Sequence, residues 1–179
     1  MYYYFAASLL YLEYGVCCQT NLEAFLEAAG RLLPEKDYAL IERALAVEKG
    51  DVILDGRHRV ITEWQSFMQA LRNQWVMVRA VQFKKDPVSF MRGERGAETA
   101  IIEAVSRAQK AADPLEGEKI IDQLRWAKLE EIGQGQFFNL DFLIVYALKL
   151  QILKRLERID SVHGEHTFNE YCSTVSGLR

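Results

Sequence analysis

The fold is decided by one stretch, NLDFLIVYALKLQILKRLERIDSVHG, which covers residues 139–164. Its first half, 140–153, is apolar almost all round, and its second half narrows to one stripe, Leu156, Ile159 and Val162. Asn139 can cap the start of a helix, and Gly164 can end it in the left-handed conformation. Such a helix would span roughly 35–40 Å. We predict that this central helix organises an all-α, multi-helix bundle.

Apolar residues at i, i+3, i+4 and i+7 spacing predict the helices that surround it. We expect helices over about 21–33, 62–85, 97–112 and 114–132, another after Pro34, and a short one over 6–12. Thr20 and Thr62 have capping-box spacing to a later Glu or Gln, and Asp113-Pro114 reads as an N-cap with proline at the first helical position. Asp55-Gly56 favours a small hairpin or an ordered loop.

The length of 179 residues suits one domain or two small lobes. We therefore predict a single all-helical domain over residues 1–179. The charged connection around 92–96 leaves open a division into two lobes, 1–86 and 97–179. Residues 2–14 are rich in aromatic side chains, and we expect this segment to dock on the core.

Composition gives no indication of a nucleic-acid or membrane protein. The net charge is −3, and 26% of residues are charged. Basic residues concentrate between 72 and 95, but Asp86 and Glu94 interrupt them, which favours an acidic partner surface over a phosphate backbone. The apolar run 140–153 is too short to span a bilayer. We expect no nucleic-acid partner and no direct membrane insertion.

The cysteines indicate free thiols. Three are present, Cys17, Cys18 and Cys172, and an odd number with two adjacent does not suggest a disulfide framework. Together with the lack of a signal-peptide pattern after Met1, this predicts a cytoplasmic protein.

Motifs for catalysis or metal binding are weak. His163-x-x-His166 with Cys172 offers zinc-ligand types, but the spacing straddles Gly164, so exposed loop histidines are the simpler interpretation. No nucleophile elbow is present, and the glycine pairs at 93/96 and 133/135 lack the rest of a phosphate-binding motif. We therefore predict a protein that is not an enzyme and uses no cofactor, and the metal site stays an open alternative.

A candidate partner surface comes from tryptophan and arginine, which are enriched in interface hot spots. Trp75 and Arg79 lie one helical turn apart, and Arg125 precedes Trp126. Trp126 falls off the stripe formed by its apolar neighbours, so we expect it to be exposed. The alternative is that the tryptophans belong to the core. Three bases of the central helix are expected to point outward: Lys154, Arg155 and Arg158.

The segment after the central helix carries its own helix signal. Thr167 and Glu170 have capping-box spacing. This predicts a short helix with Phe168 and Tyr171 facing inward.

Three stretches resemble a known family. They are YYYFAASLLYLEYG at 2–15, ALRNQWVMVRAVQFKKDP at 70–87, and residues 146–164. They look like parts of the C/d-type subunit of V/A-type ATPases, named C in bacteria and archaea and d in eukaryotes. The chain resembles still more closely a small bacterial family encoded beside V/A-type ATPase genes. Leu71-Arg72-Asn73 echoes the Asn/Arg signature of the C/d-type subunit, and 79–85 echoes the basic residues that follow it.

The resemblance implies a function in ion or proton transport without catalysis. It implies an all-α, funnel-like adaptor between rotor ring and central stalk, with ATPase subunits as partners and a cytoplasmic location at the membrane periphery. The C/d-type subunit is longer, so this chain would supply part of the funnel, as a subunit or as an accessory or assembly factor. A helical interaction module unrelated to the ATPase remains the alternative, with the metal-binding protein behind it.

Overall fold

The computed structural model describes residues 2–16, 20–49, 58–93 and 96–159. Throughout these ranges the protein is all-helical, with no strand, as predicted. The helices are α1 Tyr2–Ser8, α2 Leu22–Leu32, α3 Glu35–Ala46, α4 Arg59–Gln82, α5 Thr99–Lys110, α6 Pro114–Gly133 and α7 Leu140–Ile159. Two single 3₁₀ turns, Val47–Lys49 and Pro87–Ser89, follow α3 and α4.

Helix α7 is the centre of the bundle. Asn139 caps its start as predicted, since the side-chain oxygen accepts a hydrogen bond from the Phe142 N–H at 2.9 Å. Buried residues occupy nearly the whole circumference between 143 and 153. Helices α1, α2, α3, α4 and α6 all contact α7, which explains why its first half is apolar all round. With 20 described residues it is shorter than α4, which has 24.

The remaining contacts join the helices before position 86 and those after position 97 into one core. Helices α5 and α6 pack together, and α4 contacts both. Buried residues before position 86 and after position 97 belong to the same hydrophobic cluster. The described residues of the two stretches considered above as lobes, 1–86 and 97–179, therefore share one hydrophobic core.

In two helices the N-cap residue differs from the predicted one. Asn21, not Thr20, caps α2, and its side chain accepts from the Ala24 N–H at 2.7 Å. In α4 the N-cap position falls on His58. The Thr62 hydroxyl donates to the His58 carbonyl at 2.9 Å from within the first turn, so it supports the helix start without capping it.

The N-terminal aromatic segment docks only in part. Its helix is Tyr2–Ser8, earlier than the predicted 6–12, and Phe5 and Leu12 enter the core. The Tyr2 hydroxyl donates to the buried Asp37 carboxylate at 2.6 Å. This hydrogen bond, with burial and the carboxylate charge, raises the pKa of Tyr2. Asp37 therefore anchors α1 to α3 in addition to lying in the first turn of α3.

Several sequence predictions lie outside the described residues. They concern the turn at Asp55-Gly56, the thiols of Cys17 and Cys18, and everything from residue 160 onward.

Two helical glycines are expected to respond oppositely to alanine. A Cβ on Gly117 would lie 3.0 Å from the Ala108 carbonyl oxygen, where α5 and α6 approach closely, whereas one on Gly30 would lie 3.7 Å from the Tyr38 ring. Gly117→Ala should lower the free energy of unfolding by about 1–3 kcal/mol through overpacking. Gly30→Ala should raise it by about 0.5–1 kcal/mol, because alanine stabilises helix interiors. Urea unfolding followed by circular dichroism measures both, and a stabilising Gly117→Ala would contradict the close α5–α6 approach.

Candidate functional site

Half of the predicted partner surface lies on the outside of α4. The Arg79 guanidinium sits 5.8 Å from the centroid of the Trp75 ring, a cation–π distance. Trp75 is partly buried and Arg79 is exposed. The pair therefore presents an ordered, charged aromatic feature to solvent, and its role as a partner contact stays a prediction.

The other half is inside the protein. Trp126 is only 6% exposed, so the expectation that it lies on the surface is wrong. Its ring packs edge-on against Tyr14 at 5.7 Å, and the Lys149 ammonium lies 4.7 Å from its centroid. Helix α6 contacts α4, α5 and α7. Because α6 has neighbours on several sides, Trp126 is buried although it lies off the main apolar stripe of that helix.

Arg125 belongs to a set of charges packed between helices. We call Glu48, Glu118, Asp122, Arg125 and Arg155 the charged cluster. Asp122 is fully buried and accepts hydrogen bonds from Arg125 Nη1 at 2.8 Å and from Arg155 Nη2 at 2.5 Å. Arg155, predicted to point outward, instead reaches across to α6.

The rest of the charged cluster ties α7 to α6 and to the 3₁₀ turn after α3. Arg155 also pairs with Glu48 at 3.1 Å and with Glu118 at 2.8 Å. Arg72 of α4 donates to the backbone carbonyls of Val47 and Glu48 at 2.7 and 2.9 Å. Side chains from α6, α7 and the 3₁₀ turn after α3 thus meet around the buried Asp122 carboxylate, and Arg72 of α4 holds the backbone of that turn.

Two opposite effects act on the pKa of Asp122, at the centre of the cluster. Burial raises the pKa of Asp122, and the charges of Arg155 and Arg125 act in the lowering direction. Burial likewise lowers the pKa of Arg72. Removing charges from water is unfavourable, and their mutual pairing offsets only part of that cost. The arrangement suits a clamp that sets the positions of helices.

The Arg72-Asn73 pair of the family-like signature also acts inside the fold. Asn73 is 3% exposed, and its amide donates to the Arg92 carbonyl at 2.7 Å and accepts from the Arg92 N–H at 3.1 Å. These two bonds fix the chain after α4 against that helix.

Removing the Asn73 amide should destabilise the protein measurably. Asn73→Ala leaves the Arg92 backbone groups without these partners, and we expect a loss of about 1–3 kcal/mol in the free energy of unfolding. Exposed Gln82→Ala on the same helix serves as the control and should change it by less than about 0.5 kcal/mol. Chemical denaturation measures both, and equal stabilities would contradict the anchoring role of Asn73.

A second surface was not predicted from the sequence. Tyr3, Tyr4, Phe137 and Phe138 are 57%, 81%, 70% and 47% exposed, and we call them the aromatic patch. The Tyr3 ring lies 4.7 Å from Phe138 and 5.7 Å from Tyr4. Contiguous exposed aromatic side chains are typical of protein interaction sites. The sequence signal was Phe137-Phe138 directly before the Asn139 cap, outside any helical stripe.

Residues 2–16, 20–49, 58–93 and 96–159 show neither a metal-binding cluster nor a membrane-spanning helix. No group of three or more His, Cys, Asp or Glu residues within them is arranged to hold a metal ion. His163, His166 and Cys172 lie beyond residue 159, outside the described residues. Of the helices described, none has the length and apolar character needed to cross a bilayer.

Comparison with known proteins adds one similarity. Residues 94–176 match a family described as "Protein of unknown function (DUF2764)". The match begins before α5, includes α6 and α7, and continues past the last described residue. No curated protein and no solved structure matches the chain.

Proposed function

We propose that this protein is a non-enzymatic subunit, or an accessory or assembly factor, of a bacterial V/A-type ATPase. In this proposal it acts as an adaptor between rotor ring and central stalk, in the manner of the C/d-type subunit. The observation that carries the proposal is the resemblance of residues 2–15, 70–87 and 146–164 to that subunit. The first two stretches cover α1 and the second half of α4, and the third covers the second half of α7.

The packing around α7 is in keeping with a mechanical role. An adaptor has to transmit force without deforming, and close-packed helices do so because their interiors have low compressibility. The charged cluster and the Arg72 contacts add directional bonds that hold α4, α6 and α7 in register. Arg72 and Arg155, from two of the three family-like stretches, both bond to Glu48.

Partner contacts would be made by protein surfaces. The aromatic patch and the Trp75–Arg79 pair carry residue types enriched in interface hot spots. In this proposal the protein is cytoplasmic, reaches the membrane periphery only through the ATPase complex, and contacts ATPase subunits and no nucleic acid.

Affinity purification from the native host tests the proposal. A tagged copy is purified in mild detergent, and co-purified V/A-type ATPase subunits are quantified by mass spectrometry against an untagged strain. Phe138→Asp disrupts the aromatic patch, and Ile102→Asp on α5 is the matched control, since these residues are 47% and 45% exposed. Aspartate also tolerates the positive φ of 55° at position 138. A second pair of variants, Trp75→Ala and Arg79→Ala, examines the α4 surface.

The outcomes separate the functions considered. We expect ATPase subunits to co-purify with the unchanged protein and with Ile102→Asp, and to be lost from at least one surface variant. If no ATPase subunit is enriched, the proposal is wrong. Specific enrichment of unrelated proteins only would favour the independent helical interaction module.

A further inference from the structure

The second half of α4 and the chain that follows it form a surface of their own. Of the buried residues of α4, all but Ala80 lie at or before position 73. Beyond that point the chain is mostly exposed as far as position 92. We call residues 74–92 the α4 tip. The bundle thus covers the first half of α4 and leaves most of the second half partly or fully exposed.

Hydrogen bonds give the end of α4 a defined shape. The Lys84 N–H donates to the Val81 carbonyl at 3.2 Å, and the Lys85 N–H donates to the Ala80 carbonyl at 2.9 Å. Lys84 has a φ of 52°, the left-handed conformation in which helices commonly end. The helix therefore stops at a fixed position and the chain turns there.

Further hydrogen bonds hold the chain that returns from this turn. The Asp86 carboxylate accepts from the Val88 N–H at 3.1 Å and from the Ser89 hydroxyl at 3.2 Å. The two bonds between Asn73 and the Arg92 backbone then close the loop against α4. The α4 tip is thus a built feature of the fold.

Large apolar side chains lie on this exposed surface. Val81 and Phe83 are 74% and 71% exposed, and Met77, Val88 and Phe90 are exposed as well. Apolar side chains grouped on the surface of a folded protein are typical of interaction sites. Because the backbone beneath them is hydrogen-bonded, they form a docking surface that exists before a partner binds.

The charges of the α4 tip are mostly positive. It carries four basic residues, Arg79, Lys84, Lys85 and Arg92, and one acidic residue, Asp86, whereas the whole chain has a net charge of −3. Within the described residues, none of the four bases forms an ion pair with a carboxylate. The tip therefore combines exposed apolar side chains with positive charges that are available to a partner.

We propose that the α4 tip binds an acidic amphipathic helix of a partner protein. The apolar side of that helix covers Val81 and Phe83, and its carboxylates pair with the basic side chains around them. This inference goes beyond the proposed ATPase association and does not depend on it, because it concerns the chemistry of the partner's surface.

The geometry favours a helix as the occupant. Met77 and Val81 lie one turn apart, so the apolar surface continues along the flank of α4 and is not confined to the helix end. Such a flank suits a second helix that packs alongside through residues at i, i+3, i+4 and i+7. A second copy of the chain is disfavoured, because a symmetric contact between two α4 tips would place like charges opposite each other.

Peptide selection on the purified full chain tests the proposal. The immobilised protein is exposed to a displayed library of helix-forming peptides of about 16 residues, which is enough for about four helical turns. Selection on Val81→Asp runs in parallel. We expect peptides enriched only by the unchanged protein to carry more Asp and Glu than Lys and Arg, with apolar residues at helical spacing. Because no ATPase subunit is present, this result is separate from the outcome of the ATPase experiment.

Matched variants locate the apolar part of the contact. An enriched peptide, measured by fluorescence anisotropy, should bind Val81→Asp roughly tenfold more weakly or worse, because a carboxylate would be buried in an apolar contact. Ile102→Asp makes a similar change at an exposed apolar residue of α5 and should leave the affinity unchanged. Circular dichroism establishes that both variants are folded.

Charge reversal locates the electrostatic part. Lys85→Glu/Arg92→Glu should weaken binding by roughly tenfold, because carboxylates would then face carboxylates. Arg107→Glu/Lys110→Glu makes the same change in net charge at exposed positions near the end of α5, and the affinity should change by less than about twofold, since distant exposed charges are screened.

Several results would overturn the proposal. One is a selection that enriches no peptide, or enriches only neutral or basic ones. Another is an enriched peptide that binds both tip variants as well as it binds the unchanged protein. Binding to phosphatidylserine vesicles that Val81→Asp abolishes, without peptide enrichment, would assign the tip to a membrane surface. A dimer of the unchanged chain that dissociates in Val81→Asp would assign it to a second copy.

Discussion

Replacing Leu148 by alanine is expected to lower the free energy of unfolding by about 2–5 kcal/mol. Leu148 is 1% exposed and lies in the buried half of α7, the helix on which five others pack. The change removes apolar area from the core and leaves a cavity that packed neighbours fill only in part. Because α7 contacts α1, α2, α3, α4 and α6, unfolding should remain one cooperative transition.

Leu32→Ala is the matched control for this experiment. It makes the same chemical change in a helix, but Leu32 is 45% exposed. Its effect should be within about 0.5 kcal/mol. Equal losses for the two variants in urea unfolding would contradict the central position of α7.

Replacing Asp122 by alanine is expected to cost about 3 kcal/mol. Breaking a buried ion pair by removing one partner typically costs about 3–5 kcal/mol, because it leaves a buried charge without compensation. Asp122 is fully buried between the guanidinium groups of Arg125 and Arg155. We expect the lower end of the range because Arg155 keeps Glu48 and Glu118 as partners.

Glu130→Ala on the same helix tests whether burial is the cause. Glu130 pairs with Lys149 at 3.0 Å, but its side chain is 53% exposed. Exposed pairs contribute about 0–1 kcal/mol. Thermal and urea unfolding should therefore separate the two variants clearly. Similar losses would mean that Asp122 is no more important than a surface charge.

The raised pKa of Asp122 also predicts a pH dependence. The folded protein binds this proton more tightly than the unfolded chain, whose ordinary value is 3.8. Stability from this group is therefore present at low pH and declines as the pH rises through the interval above 3.8. The free energy of unfolding of the unchanged protein, minus that of Asp122→Asn, should fall over this interval. A rise would mean that pairing with the arginines outweighs burial.

Local signals predicted much of the architecture. The apolar run 140–153 required a helix covered on all sides, and α7 has that environment. Two adjacent residues, the N-cap Asp113 and the following Pro114, specify the start of α6. The Asp113 carboxylate accepts a hydrogen bond from the Leu115 N–H at 3.1 Å, as expected. Such features depend on a few neighbouring residues and can be read without tertiary contacts.

The errors arise where distant residues decide the outcome. Arg155 turns inward because Glu48 and Asp122, 107 and 33 positions away, meet it there. Trp126 is buried because Tyr14 and Lys149 cover it, and neither is near it in sequence. The aromatic patch joins α1 to the loop before α7. Helical periodicity depends only on residues close in sequence. It therefore could not predict the charged cluster or the aromatic patch.

If this protein serves a V/A-type ATPase, as we propose, its loss should impair assembly of the complex in cells. The gene is deleted in the native host, and assembled V/A-type ATPase is quantified in membranes by native electrophoresis and mass spectrometry of its subunits. We expect a loss of assembled complex, restored by the unchanged gene and by Ile102→Asp. Normal assembly and rotor composition in the deletion strain, together with a purified protein that brings down no ATPase subunit, would contradict it.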